Sequence, residues 1–573
     1  MHNLKFLLPF VLLACVFVSC SKDGFFSSGP SVNATFAGRV IDENGEAISG
    51  AQVRVEGELA TTDENGVFRL RPMRVPSDNA KLMVTKIGYF EFSRAYYVED
   101  DAMQTVTIQL LQKKQVGTLS ASSGGTVQLP GGATLVFPAG AFVDERSNTY
   151  NGTVRVFARN LVQSSRDFAM NMPGDLRGIN LAGEQQTLGN YGMVGVELQS
   201  QSGQELRIRQ GNEVEIHLSI DNSQFATAPA EITLWHYDVM QARWIEEGSA
   251  QRIGNEYVGR VKHFTFWSFS TAFNLIALKG KVFLVDDQHP LSGAVVRLTM
   301  TSDSTKGYAT VNANGVYQGA VPMGETFVMD ILNECGEVIF TQNVGPFNEP
   351  INAPDVIVPN NGTHTVALTG RLLDCAGVPI KNGYAQVLLG NFKWVAFTGT
   401  DGSFTLNKTR CDTSAGTGVV IGFDLQNLKQ SAPDTIMVPP NAVAVGDLAV
   451  CDSLGEFIMY SLDYNDYVIA VPVGGVLDSL GMRTFLNGYS TAQQDVGISM
   501  EFVSGGQAGN FSLTNLYVNT LTWNSSASGV NIEVVEPGYA VGDPITGTFD
   551  GTFIDQLGVT HTILGSYQVR RDY

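Results

Sequence analysis

Charge is what this sequence has little of. Only 16% of its 573 residues are charged, against roughly 25% in an average soluble domain. The basic share is the smaller one: 36 Lys and Arg stand against 56 Asp and Glu, a net charge of −20. A surface of that sign repels phosphate backbones and anionic headgroups, which excludes nucleic acid as a partner. Histidine is scarce too, and the seven present are scattered along the chain without clustering. There is no G-x-S-x-G and no H-E-x-x-H, and the single S-x-x-K, Ser19 to Lys22, straddles a cysteine. With no paired acid and base and no nucleophile beside a base, an enzyme acting on an external substrate is not expected. No apolar run reaches the ~20 residues of a spanning helix. No long window keeps a 3.6-residue period, and the apolar-out segments and aromatic girdles of a membrane barrel are missing.

What is abundant is apolar side chains, at 44%, and glycine, at 61 residues. That excludes disorder for most of the chain, and the length calls for about four domains at roughly 150 residues each. Alternation such as Ala51, Val53, Val55 against Gln52, Arg54, Glu56 reads as a half-buried strand, with glycine supplying the positive φ of the turns. The expected fold class is all-β: tandem antiparallel β-sandwiches in a multi-domain chain. One short helix is expected around Val476 to Leu486.

At the N-terminus Lys5 precedes an apolar run from Phe6 to Val18, the length of a signal-peptide core. It ends in Phe17-Val18-Ser19-Cys20, which resembles a bacterial lipobox. The resemblance implies removal of residues 1–19 and acylation of Cys20, each buried CH₂ contributing about 0.8 kcal/mol to membrane attachment. Ser21-Lys22-Asp23 is similar to the export tether of some Gram-negative surface lipoproteins, and residues 20–33 read as a flexible stalk.

One pattern recurs three times: GRVIDENGEAISGAQVRV from Gly38, GKVFLVDDQHPLSGAVVRL from Gly280 and GRLLDCAGVPIKNGYAQVLL from Gly370. Each copy has a second glycine (Gly50, Gly293, Gly383) and a later glycine followed two residues on by an aromatic (Phe68, Tyr317, Phe404). The pattern resembles the carboxypeptidase regulatory-like domain, a transthyretin-like sandwich, and implies such modules over 34–112, 276–360 and 366–446. Between the first two copies, GGTVQLPGGATLVFPAGAFVD and NGTVRVFARNL resemble the sandwich domain shared by ankyrins and netrin receptors. LWHYDVMQARWIEEG and HFTFWSFS resemble its companion domain, the pair spanning 116–273. Residues 447–573 read as a further C-terminal sandwich, from alternating runs between Gly and Asn turns.

Cys15 leaves with the signal, so four cysteines remain: Cys335, Cys375, Cys411 and Cys451. An even number in an exported chain reads as disulfides with three connectivities open, and the expected pairing is Cys335 with Cys375 and Cys411 with Cys451. Spacings of 40, 36 and 40 lack the close pairs of a zinc site, so neither metal nor cofactor is expected. The doubled Asp-Glu-Asn-Gly at Asp42–Gly45 and Asp63–Gly66 lacks the further ligands of a calcium loop and reads as hairpin turns. His217, on the polar side of its strand in alternation with Glu213 and Glu215, reads as solvated, and His236 as part of a packed sandwich edge.

The one motif with a mechanism is His263-Phe264-Thr265. Companion domains of the netrin-receptor type include members with His-Phe-Ser that cut their own chain before the Ser. The resemblance implies that His263 would take the Thr265 proton and the hydroxyl would attack the Phe264 carbonyl, with an uncleaved core strand as the alternative. Three functions follow as expectations. The first is a non-catalytic protein anchored by lipid on Cys20, in the outer membrane and facing outward or into the periplasm, presenting its modules to a protein or glycan ligand, with Trp394 and Trp523 as aromatic candidates. The second is self-processing between Phe264 and Thr265. The third is an accessory subunit of an outer-membrane uptake complex, since the first module resembles one that also precedes TonB-dependent transporters.

Overall fold

Where apolar residues alternate, the chain is extended: along Ala80–Thr85, Ala80, Leu82 and Val84 are buried and their neighbours are not. Leu82 and Val84 each contribute about 1.5–3 kcal/mol by leaving water, and Ala80 less. The computed structural model describes residues 29–165, 167–284, 290–359, 364–389, 392–410, 416–427, 429–438, 443–453, 456–463, 465–470, 473–478, 482–489, 496–522 and 529–572. Among them the one α-helix is the four-residue turn Phe168–Asn171, and no helix is long and apolar enough to cross a membrane. The chain is an all-β, multi-domain protein with five main apolar cores.

The three repeated patterns close in the same way. In the first, Ser31–Ile41 pairs antiparallel with Val67–Arg69 and parallel with Ala102–Gln109. In the second, Phe266–Leu284 pairs antiparallel with Val316–Pro322 and parallel with Ile351–Asn352 and Val356–Val358. In the third, His364–Leu373 pairs antiparallel with Ser403–Arg410 and parallel with Val443–Ser453. That last strand runs through the sequence boundary between 446 and 447. The repeated glycine and aromatic also acquire a cause, because they face each other across the ladder: Gly38 opposite Phe68, Gly280 opposite Tyr317, Gly370 opposite Phe404. At Gly280 and Gly370 the ring lies where a Cβ would stand, so only glycine lets the aromatic fold down into the core.

The turns share one device. Asp42, Asp63, Asn312 and Asp374 each accept the amides two and four residues on, at 2.8–3.0 Å. The glycine three residues on bonds back to the same residue's carbonyl in a positive-φ conformation. These are Asx turns, and the doubled Asp-Glu-Asn-Gly is two of them.

Residues 115–284 form one sheet that wraps round a single core. Its order runs Gly125–Gln128, Ala133–Phe137, Val214–Ser219, Glu256–Val261, Arg243–Ile253, Glu231–Asp238, Phe266–Leu284, Gln185–Ser200, Thr153–Leu161, Gln115–Ser120, and its ends meet at Ser120 and Gly124. The sandwich and companion halves expected from sequence therefore share one core. Phe266–Leu284 is 19 residues long, about 60 Å of extended chain. Its first half belongs to the wrapped sheet and its second half opens the second repeat.

The C-terminal residues form a meander in sequence order from Val473–Asp478 to Thr560–Arg570, completed by Phe457–Leu462 and Asn465–Ala470. The helix expected at Val476 to Leu486 is replaced by a hairpin in which Val476 faces Phe485. Thr484 and Leu486 are buried while Phe485 is not, a period of two that overrides the local spacing.

The first sandwich touches every body after it. Arg94 donates to the carbonyls of Gly174, Met172 and Ala169 at 2.7, 2.9 and 3.1 Å. Phe90 and Leu111 join Trp235, Trp244 and Phe266 in a shared apolar cluster. Glu99 pairs with Lys279 at 2.5 Å, Gln52 bonds Glu533, and Val67 packs with Tyr384 and Phe423.

Candidate functional site

Two histidines far apart in sequence meet on the rim of the wrapped sheet. His236 lies on Glu231–Asp238, directly opposite Ile245 and Trp267. Glu247 is two residues beyond Ile245 on Arg243–Ile253, and His263 sits in the connection between Glu256–Val261 and Phe266–Leu284. The Glu247 carboxylate oxygen Oε2 is 2.9 Å from His236 Nδ1 and 2.9 Å from His263 Nε2, and the two imidazoles stand edge to face at 4.8 Å between centroids. The His263 contact is a hydrogen bond. His236 Nδ1 is buried and within ion-pair range of the same oxygen, but out of line for a well-formed hydrogen bond.

The support beneath the site is apolar and fixed. Trp267, fully buried, lies 5.7 Å from the His236 ring and 5.1 Å from the His263 ring, and its indole N–H donates to the His263 carbonyl at 3.1 Å. Thr265 Oγ1 donates to the Tyr237 carbonyl at 2.8 Å, tying residues 263–265 to the strand that carries His236. Burial holds the His236 pKa below its ordinary value, with the charge of His263 adding to the effect and that of Glu247 opposing it. For Glu247, burial works to raise the pKa but is outweighed by the hydrogen bond and charge of His263, the charge of His236 and the charge of Lys262, leaving the carboxyl below its usual range.

The self-cleavage motif lies within this cluster, with its groups engaged elsewhere. His263 Nε2 faces Glu247, and the Thr265 hydroxyl proton is directed at Tyr237. Phe264 packs half-buried against the wrapped core, 5.8 Å from Phe137.

The disulfide expectation is corrected. Cys375 bonds Cys451, with 5.3 Å between their Cα atoms. The cause is the parallel closure of the third repeat, where Leu373 stands beside Ala449 and the same 76-residue offset brings Cys375 to Cys451. Cys335 is also disulfide-bonded, while Cys411 and Cys20 lie outside the described residues. Trp394, expected as an exposed aromatic, is 6% exposed and donates to Glu334 at 2.7 Å, so it joins the third repeat to the second. Trp523 lies outside the described residues. His217 is half-buried between Glu215 and Glu256, at 2.8 and 3.3 Å.

Sequence reading missed the histidine pair because His236 and His263 are separated by two further strands, and only the strand order of the wrapped sheet brings them together. The available signal was in quoted segments, a His on LWHYDVMQ and a His before FTFWSFS, whose strands are neighbours.

Residues 35–111 match the carboxypeptidase regulatory-like domain family. No curated protein matches the chain. Among solved structures, the shaft pilin SpaA of Lactobacillus rhamnosus GG is 11% identical, covering 31% of this chain and 98% of its own, with a TM-score of 0.18. The Bacillus anthracis TIE protein is 10% identical, covering 77% of this chain and 69% of its own, with a TM-score of 0.14. The minor pilin of Streptococcus agalactiae is 11% identical, covering 30% of this chain and 96% of its own, with a TM-score of 0.14.

Proposed function

We propose that this is a non-catalytic, lipid-anchored protein of the bacterial outer envelope that holds tandem β-modules away from the membrane for binding. The observation that carries the reading is the order of its parts: an apolar segment ending at Cys20, a Gly- and Ser-rich stalk, then β-modules joined by shared strands and direct contacts. Attachment would come from the acyl chains on Cys20 and not from surface charge, since a net charge of −20 opposes an anionic leaflet. Binding would fall to the loops and to the C-terminal meander, a body without a sister copy, with a protein or glycan as ligand.

The test is the intact mass of the protein isolated from its native envelope under reducing, denaturing conditions. A single chain beginning at Cys20 with added acyl mass is expected. An unlipidated N-terminus would remove the membrane from the reading. Two fragments meeting at Phe264 and Thr265, and collapsing to one in Thr265→Ala, would replace a passive scaffold with a self-processing one.

A further inference from the structure

We propose that His236, Glu247 and His263 form a mononuclear site for a divalent late transition-metal ion, zinc first among them, with the remaining coordination positions filled by water.

The donor set argues for this class of ion. Two imidazole nitrogens and one carboxylate oxygen suit zinc, which takes nitrogen and oxygen ligands at about 2.0–2.2 Å and accepts three protein ligands plus water. A hard cation such as calcium would want six or more oxygens. The three ligand atoms all lie within 4.8 Å of one another, and a tetrahedral ion at those bond lengths spaces its ligands about 3.3–3.5 Å apart. The carboxylate oxygen already stands 2.9 Å from each nitrogen. Admitting the ion requires the Glu247 side chain, 35% exposed, to withdraw by a few tenths of an ångström, and the two imidazole nitrogens, up to 4.8 Å apart, to close toward the same spacing, which the exposed His263 ring can do by turning.

The arrangement also leaves one ligand atom poorly served by the protein. His236 Nδ1 is buried and stands 2.9 Å from a carboxylate oxygen, out of line for a well-formed hydrogen bond to it. A cation between the two would take the nitrogen lone pair of the neutral imidazole and give the carboxylate a counter-charge. The other requirement of a metal site is ligands held by what lies behind them. Trp267 backs both rings and bonds the His263 carbonyl, while Thr265 locks the same segment to Tyr237. The fourth side is open, the His263 side chain being 43% exposed, so water can complete the shell. A bound ion would staple Glu231–Asp238, Arg243–Ile253 and the connection before Phe266–Leu284, at the root of the strand that the second repeat shares.

The experiment uses the untagged full chain, stripped with a chelator and titrated with Co²⁺ and then Zn²⁺. One Co²⁺ per chain is expected, with visible d–d bands free of sulfur-to-metal charge transfer, displaced by one Zn²⁺ in calorimetry. His263→Asn and Glu247→Gln should each weaken Zn²⁺ binding at least about tenfold, with His217→Asn, a histidine between two carboxylates elsewhere on the sheet, leaving it unchanged. The absence of a saturable cobalt spectrum in the unaltered chain overturns the proposal without reference to any variant. So does equal Zn²⁺ affinity in His263→Asn, or a sulfur charge-transfer band. Circular dichroism identifies a variant that fails to fold, and His236→Gln then replaces it in the same comparison.

Discussion

A buried carboxyl sits in the contact between the first and third repeats, beside the packing of Val67 on Tyr384 and Phe423. Asp63 accepts the Asn65 and Val67 amides through Oδ1, which its turn requires. Its Oδ2 then takes the Tyr384 hydroxyl of the third repeat at 2.6 Å. Burial raises the Asp63 pKa from 3.8 to about 6 against the lowering effect of those bonds, and burial with the charge of Asp63 brings Glu64 to about 7. A carboxyl whose folded pKa is raised binds its proton more tightly in the folded chain. Its contribution is therefore greatest below pH 4 and is lost as the pH rises through about 6. Urea unfolding across this window should show the native chain losing stability relative to Asp63→Asn as the pH rises through about 6 and on through about 7, where Glu64, raised in part by the Asp63 charge, also titrates. A native chain that gains stability relative to Asp63→Asn over the same window would mean that Asp63 is held ionised. The turn was legible in the sequence as Asp-Glu-Asn-Gly, but its second use was not, because Tyr384 lies 321 residues away and nothing in a local pattern encodes that contact.

At the scale of strands, alternation and glycine placement carried most of the information. Gly38, Gly280 and Gly370 with Phe68, Tyr317 and Phe404 marked the repeats in sequence, and in space each pair is one rung of a ladder. Gly370→Ala places a methyl group 2.5 Å from the Phe404 ring and 3.0 Å from the Gly446 carbonyl. It should cost about 1–3 kcal/mol in chemical unfolding, and Phe404→Leu in the same chain should recover part of the loss. An unchanged midpoint would show that the ring can move aside freely. Parallel closure was invisible in the sequence, since first and last strands of a module are joined by contacts of long sequence separation. That is why the disulfide expectation linked sequence neighbours when Cys375 and Cys451 are the spatial pair. The expected helix failed for a related reason: a hairpin partner fixes register and overrides a short local spacing.

For the molecule as a whole, the first sandwich acts as a hub. Arg94 caps three carbonyls of the helical turn and loop over 169–174, and bonds of this charge-assisted kind contribute about 1.5–3 kcal/mol. Arg94→Ala should loosen that junction while leaving each core folded, seen as faster proteolysis of the 169–174 segment with an unchanged β-sheet spectrum; unchanged cleavage would place the junction's strength in the Phe90, Leu111 and Phe266 cluster. The histidine site was the least legible feature at this scale, because it exists only when four strands have taken their order. The parallel closure has a mechanical consequence as well. From Ala34 beside Ala102 to Ile41 beside Gln109, the opening and closing strands of the first repeat lie side by side, so traction on the two ends of the module shears the whole ladder at once instead of peeling it rung by rung. Because Phe266–Leu284 passes unbroken into the second repeat, the same tension is handed on through a continuous strand, and a chain held at one end and pulled at the other meets drag as a clamp, not as a string of hinges.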